Sequence, residues 1–179
     1  DEISSDILRR EGVVNDKIRF VGNIMIDTLE QFREVASSLA IEQIVHRNRH
    51  VDSVEGQLKN PGERYAVVTL HRPSNVDEKS VLAPIVRLLL DEISGELPII
   101  WPVHPRTYER LSKFGLWEEL SLNENIHLLQ PITYTELLRL NSCAQIVFSD
   151  SGGIQEESCV LGTPCLTLRW NTERPVTLL

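Results

Sequence analysis

The sequence predicts an α/β fold, a parallel sheet with helices on both faces, and two observations predict it. Six short apolar runs alternate with stretches whose apolar residues recur near a 3.6 spacing. Helix punctuation falls between the runs, as in Thr133 with Glu136 three residues on, and in Gly162 after residues 152–161. Strands alternating with amphipathic helices mean βαβ units, and ligands then bind beyond the carboxyl ends of the strands.

Residues 3–13 predict a short helix closed by Gly12. Residues 17–23 ("KIRFVGN") predict a first strand running into a turn, and residues 24–50 a helix carrying Ile26, Leu29, Phe32, Val35, Leu39 and Ile44. Residues 47–65 are polar, contain Asn-Pro-Gly and predict a loop. The rhythm is then regular. Strands are expected at 65–70, 98–103, 126–131, 145–150 and 164–169. Helices are expected at 76–97, 108–120, 133–144 and 152–162.

The chain has 179 residues, 41% of them hydrophobic and 25% charged, and a net charge of -8. That balance argues against a nucleic-acid surface, which needs clustered Lys and Arg. It leaves room for an anion held locally by backbone dipoles and a few arginines. No apolar run is long enough to span a membrane, and the charged start "DEISSDILRREG" is unlike a signal peptide. Cys143, Cys159 and Cys165 lie in apolar stretches without a Cys-x-x-Cys pair, and are expected to be buried thiols of a cytoplasmic protein.

Five strand tips should share one edge of the sheet. They carry His71-Arg72, His104, Ile132-Thr133-Tyr134, Ser151-Gly152-Gly153 and Arg169 to Arg174. Ser151, Gly152 and Gly153 suit a helix start whose N–H groups bind phosphate; a lone Ser-Gly-Gly is more often a capped turn, and the neighbouring tips reverse that reading. Only one of Glu156 and Glu157 can face a ribose, because adjacent helical residues point about 100° apart. His71 and His104 could protonate or hydrogen-bond a phosphate oxygen, or be structural. Arg72 and Arg174 suit diphosphate, or surface ion pairs. His46, His50 and His127 are expected to be structural or solvated. Ser151 is not expected to be a nucleophile: the elbow would read Gly-x-Ser-x-Gly, and here Ser149-Asp150 precedes the serine.

Six stretches in order carry a resemblance: "VGNIMIDTL", "TLHRPSNVDE", "PVHPRT", "SDSGGIQEE", "LGTPCLTLR" and "NTERP". From about residue 3 to residue 175 the chain resembles the carboxyl-terminal half of non-hydrolysing UDP-N-acetylglucosamine 2-epimerases. The resemblance implies a Rossmann-like domain, one half of a two-domain glycosyltransferase-B-type fold. Residues 1–15 would be a connector or the tail of an amino-terminal domain, and residues 16–179 the UDP-binding domain, cut short at its end.

The resemblance also implies a reaction without nicotinamide, metal or other cofactor. UDP is eliminated to leave 2-acetamidoglucal, then added back with the opposite configuration at C2. Residue by residue, His71 would be catalytic, and Ser151, Gly152, Gly153 and Glu157 would hold phosphate and ribose. Arg174 would face the diphosphate, and Arg72 and His104 the nucleotide or a second, regulatory site. Pro73-Ser74 stands where the family often has Arg-Glu, which removes a donor and a charge. Leu137 stands where some members pack an aromatic ring on uracil, and leucine covers a base without stacking on it. The expected partner is a UDP-sugar, with no nucleic acid and no membrane, and a homodimer for the complete enzyme. The half carried here would be inactive alone. Competing expectations are a nucleotide-sugar glycosyltransferase of the same build, a hydrolysing epimerase, and a nucleotide-binding module without turnover.

Overall fold

A computed structural model describes residues 2–54, 64–172 and 174–178. The chain begins with helix α1 (Glu2–Arg10), which buries none of its residues, and a 3₁₀ turn at Asn15–Lys17. Helices α2 (Ile24–Ser37) and α3 (Ile41–Asn48) follow. Strand β1 (Ala66–Thr69) leads to α4 (Pro73–Val76) and α5 (Lys79–Leu88). A π-helical turn at Leu89–Ile93 and α6 (Ser94–Glu96) complete that crossover. Next come β2 (Ile99–Pro102), α7 (Pro105–Lys113), α8 (Trp117–Ser121) and β3 (Ile126–Leu129). The last units are α9 (Tyr134–Cys143), β4 (Ile146–Ser149), α10 (Gly152–Leu161), β5 (Cys165–Thr167) and a 3₁₀ turn at Pro175–Leu178.

The strands form one parallel sheet in the order β3-β2-β1-β4-β5. Successive strand residues serve opposite faces, which is why the apolar runs are continuous rather than alternating. Ala66, Val68, Ile99, Trp101 and Phe148 join one core with Leu82, Leu111 and Leu120. Val67, Ile100, Leu129 and Val147 join the other with Ile44 and Leu140. Each branched or aromatic side chain among these, buried almost completely, contributes about 1.5–3 kcal/mol. A third cluster, Leu29, Ala36 and Leu138, packs α2 on α9.

The expected strand at residues 17–23 is absent, and among the described residues the sheet has five strands. Phe20 is 67% and Val21 86% exposed, so the apolar run has neither a ladder partner nor a buried face. The helix expected over 24–50 breaks after Ser37. The break lets α3 turn Ile44 and Val45 onto the sheet, while α2 keeps Leu29 and Ala36 against α9. The expected 76–97 helix starts earlier, at Pro73, and is interrupted at Asp77–Glu78. The expected 108–120 helix also starts earlier, behind the cap His104, and is split at Gly115, whose φ of +71° ends a helix. The cysteines are another correction: Cys143 and Cys159 are exposed and Cys165 half-buried. Cys143 closes α9, and Cys159 lies on the outer side of α10.

Most of the loop expected over 47–65 either lies outside the described residues (55–63) or docks on β3. Arg49 bridges Leu129 antiparallel, and the His50 N–H donates to the Leu128 carbonyl at 2.8 Å. That contact covers part of an otherwise open sheet edge. The His50 ring is held by Tyr108 and Trp117, with centroids 4.9 and 4.6 Å away.

Candidate functional site

The strand order reverses between β1 and β4: the chain moves from β1 to β2 and β3 on one side, then returns to β4 on the other. Such a switch point opens a crevice at the strand ends. Thr69 and Ser149 are in register there, with their hydroxyl oxygens 2.7 Å apart. The Ser149 hydroxyl also accepts the Ser151 N–H at 3.0 Å, which fixes the turn into α10.

His71 and Arg72 follow β1, and Asp150 and Ser151 follow β4. Asp150 is fully buried and its carboxylate is surrounded by donors. Arg72 N–H donates at 2.8 Å, His71 N–H at 3.1 Å and Asn75 Nδ2 at 3.1 Å, all to Oδ2. His71 Nδ1 lies 2.9 Å from Oδ1. Burial pushes this carboxyl up, but the bonds from the His71 side chain and from the Arg72 and His71 backbone outweigh it and leave its pKa lowered. Asn75 also donates to the Leu168 carbonyl at 2.8 Å, tying the tip of β1 to that of β5.

Ser151 caps α10, its hydroxyl accepting from Ile154 N at 3.5 Å. The first-turn N–H groups of Gly152 and Gly153 have no helical carbonyl to bond, which makes this end attractive to an anion. A Cβ on Gly153 would stand 2.7 Å from Met25 Cε, so the glycine also admits the start of α2.

A cleft of about 290 Å³ joins these parts. His71, His104, Leu137, Ser151 and Ile154 line it, with Pro102 and Ile132 between. The His71 and His104 rings are 5.9 Å apart, and His104 Nδ1 accepts the Arg106 N–H at 3.2 Å as the cap of α7. The Thr107 hydroxyl bonds the Leu70 carbonyl, which fastens α7 to the tip of β1. Among the described residues no group of three His, Cys, Asp or Glu could hold a metal ion, and no helix is long and apolar enough to cross a membrane.

A family model described as UDP-N-acetylglucosamine 2-epimerase matches residues 1–179. The chain belongs to the UDP-N-acetylglucosamine 2-epimerase family. A UDP-N-acetylglucosamine 2-epimerase of Methanococcus maripaludis is 39% identical over 171 residues, covering 94% of this chain and 44% of that protein. One of Methanocaldococcus jannaschii is 38% identical over 178 residues, covering 99% of this chain and 46% of that protein. The crystal structure of the latter enzyme in complex with UDP-GlcNAc and UDP superposes with a TM-score of 0.83 at 37% identity. It covers 99% of this chain and 46% of that chain. This member of the epimerase family therefore spans about half the length of the curated relatives it matches. The parallel α/β architecture and the expected resemblance both hold.

Other expected site residues lie around the cleft rather than on its wall. Arg72 Nε reaches the Asp150 carbonyl at 3.3 Å. Glu157 is 5% exposed, on the side of α10 that faces α9, and accepts the Tyr134 hydroxyl. Glu156 turns elsewhere and meets Arg174 Nε at 3.3 Å. That pair lines a separate hollow of about 440 Å³ with Phe20, Met25 and Cys159. Glu173, in the "NTERP" motif of this epimerase-family chain, lies outside the described residues. Sequence reasoning gave no role to Asp150, Asn75 or Tyr134, although Tyr134 stood among the strand tips. The available signal was an acid directly after a fully apolar strand, where burial demands several donors.

Proposed function

We propose that the chain is the UDP-binding half of a UDP-N-acetylglucosamine 2-epimerase, inactive without the other half. The observation that carries this reading is the meeting of His71 with the Ser151-capped start of α10 in one cleft at the switch point. Support also comes from the solved M. jannaschii relative, which binds UDP-GlcNAc and UDP.

Gly152 and Gly153 N–H groups and the Ser151 hydroxyl would receive the diphosphate, aided by the positive end of α10. Leu137 would cover the uracil. Glu157 would take the ribose hydroxyls once Tyr134 gives way, and Arg174 would reach the diphosphate by releasing Glu156. Arg72 and His104 would complete the nucleotide side. In the reaction a base removes the C2 proton, the C1–O bond breaks with its electron pair going to UDP, and the C1–C2 double bond of 2-acetamidoglucal forms. Return of the UDP oxygen to C1, with protonation of C2 on the other face, gives UDP-N-acetylmannosamine. The base would lie in the other half. The complete protein is taken to be a homodimer on the family resemblance, and cytoplasmic on its unpaired cysteine pattern.

A UDP titration followed by amide shifts, together with product analysis on the full-length polypeptide, tests this. Saturable shifts at Ser151, Gly152 and Gly153 and conversion to UDP-N-acetylmannosamine are expected. Release of free N-acetylmannosamine with UDP would make it a hydrolysing epimerase. Transfer to an acceptor would make it a glycosyltransferase, and binding without turnover a nucleotide-binding module.

A further inference from the structure

We propose that Asp150 is a positioning residue, whose buried carboxylate holds His71 in the tautomer that carries its proton on Nδ1 and turns Nε2 to the cleft. The two carboxylate oxygens have different work. Oδ2 collects the Arg72 N–H, the Asn75 amide and the His71 N–H, at 2.8, 3.1 and 3.1 Å. Oδ1 faces the imidazole at 2.9 Å and shares the His71 N–H, which lies 3.2 Å away. An ionised carboxylate only accepts, so the facing nitrogen must donate. Nδ1 therefore keeps its proton whether the ring is neutral or charged, and Nε2 is the nitrogen that gains and loses one. Asp150 is wholly buried while the His71 side chain is 41% exposed, so the free edge of the ring is the one on the cleft it lines.

The neighbouring histidine is set the other way. His104 Nδ1 accepts the Arg106 N–H, which puts the neutral ring's proton on Nε2. Two imidazoles 5.9 Å apart are thus held in opposite tautomers, one by a carboxylate and one by a backbone amide. Resting on the proposed function, the consequence is a defined proton path. As the C1–O bond breaks, the proton on His71 Nε2 passes to the departing UDP oxygen, and the ring becomes neutral with Nδ1–H still on Asp150. The return step reverses both transfers.

Asp150→Asn separates this role from mere packing. The Arg72 and His71 N–H groups still need an oxygen at the Oδ2 position, so the new amide turns its NH₂ toward His71 Nδ1. An NH₂ donates, and the His71 proton moves to Nε2 with the ring in place.

The test is ¹⁵N-histidine spectroscopy of the full-length polypeptide, at a pH well above the ordinary imidazole range so that neutral rings predominate. The expected result is Nδ1-protonated His71 and Nε2-protonated His104 in the wild type. In Asp150→Asn, His71 inverts while His104 stays, and kcat falls by about 10²- to 10⁴-fold with KM within about threefold. If that variant does not fold, the wild-type tautomers decide alone. A wild-type His71 protonated on Nε2, or an Asn variant keeping both tautomer and turnover, would overturn the assignment. Correct tautomers with no UDP-induced shift at Ser151, Gly152 and Gly153 would uphold the role of Asp150 and sink the nucleotide-binding reading instead.

Discussion

Tyr134 and Glu157 face each other from α9 and α10, the phenolic oxygen donating to Glu157 Oε1 across 3.2 Å. Glu157 raises the pKa of Tyr134, whereas the bond from Tyr134 lowers that of Glu157. Burial first, then the nearby carboxylate, pushes the Tyr134 phenol up to about 12. Burial likewise pushes Glu157 up, the Tyr134 bond pulls it back, and Glu156 beside it adds to the rise. An acid kept nearly out of water at the edge of a proposed ligand cleft is stability held in reserve for binding.

Glu157→Gln should therefore stabilise the fold at neutral pH while weakening UDP. A carboxyl whose folded pKa lies above its unfolded value makes the protein less stable as pH rises through the interval between them, so removing the charge relieves that cost. The urea midpoint should rise, by a gain within about 1 kcal/mol. UDP affinity should fall by about tenfold or more, as a charge-assisted bond is lost. A lower midpoint, or unchanged UDP affinity, would count against the carboxylate's part.

The two glycines at the ends of α10 should respond in opposite ways to alanine. Gly162 has φ +72° and open space where a Cβ would go, so its cost is backbone strain of about 1 kcal/mol. UDP affinity should be unchanged. Gly153→Ala gains about 0.8–1 kcal/mol of helix propensity. It must displace the flexible end of Met25, so net stability should move by no more than about 1 kcal/mol. Its added methyl crowds the proposed phosphate approach, and UDP affinity should drop at least about tenfold. Equal effects of both variants on UDP would remove the reason for placing phosphate at this turn.

At Asn75, charge should outweigh size. Its amide bonds both Asp150 and the Leu168 carbonyl. Asn75→Ala leaves that buried carbonyl without this donor, at a cost of about 1–3 kcal/mol. Asn75→Asp keeps the volume but sets a second carboxylate against a buried one, and should be worse by at least about 1 kcal/mol near neutral pH. Thermal unfolding of both variants gives the order. An Asp variant more stable than the Ala variant would mean that packing, not the carboxylate's donors, holds this corner.

How much of this was legible in the sequence depends on the range of the interactions. The inner strands of the sheet were readable because a strand buried on both faces is apolar along most of its length, as at Ala66–Val68 and Ile99–Trp101. The Thr133–Glu136 capping box, the Ser151 cap and the Gly162 stop were readable because each is made within a few residues. Residues 17–23 misled because "KIRFVGN" has strand-like residues, and only the sheet decides whether an edge is available. The site was legible as a set of strand tips, of which His71, His104 and Ser151 line one cleft. The work of Asp150 was hidden, because its donors come from positions 71, 72 and 75, far away in the chain. The exposure of Cys159 was hidden for the same reason: an apolar neighbourhood in sequence says nothing about which helix face turns outward.

Glu136 should make the fold acid-sensitive in a defined window. Burial raises this carboxyl, but bonds from the Thr133 backbone and hydroxyl, then from Arg47 and Asn48, overcome it and bring its pKa down to about 2. Thr133 N donates at 2.8 Å and Asn48 Nδ2 at 3.0 Å, so the acid joins α9 to α3 as well as capping its own helix. A folded pKa below the unfolded one means that the stabilisation is complete above about pH 4.5 and is lost as pH falls toward about 2. The shift corresponds to about 3 kcal/mol, less what solvent takes from the exposed Arg47 end. Glu136→Gln should thus cost about 2 kcal/mol near pH 7 and progressively less toward pH 2, where the wild-type group is itself becoming neutral. Urea midpoints of the two proteins at several pH values check this. Converging curves place the charge of Glu136 at the α3–α9 joint, whereas a difference independent of pH would assign its contribution to shape and neutral hydrogen bonding.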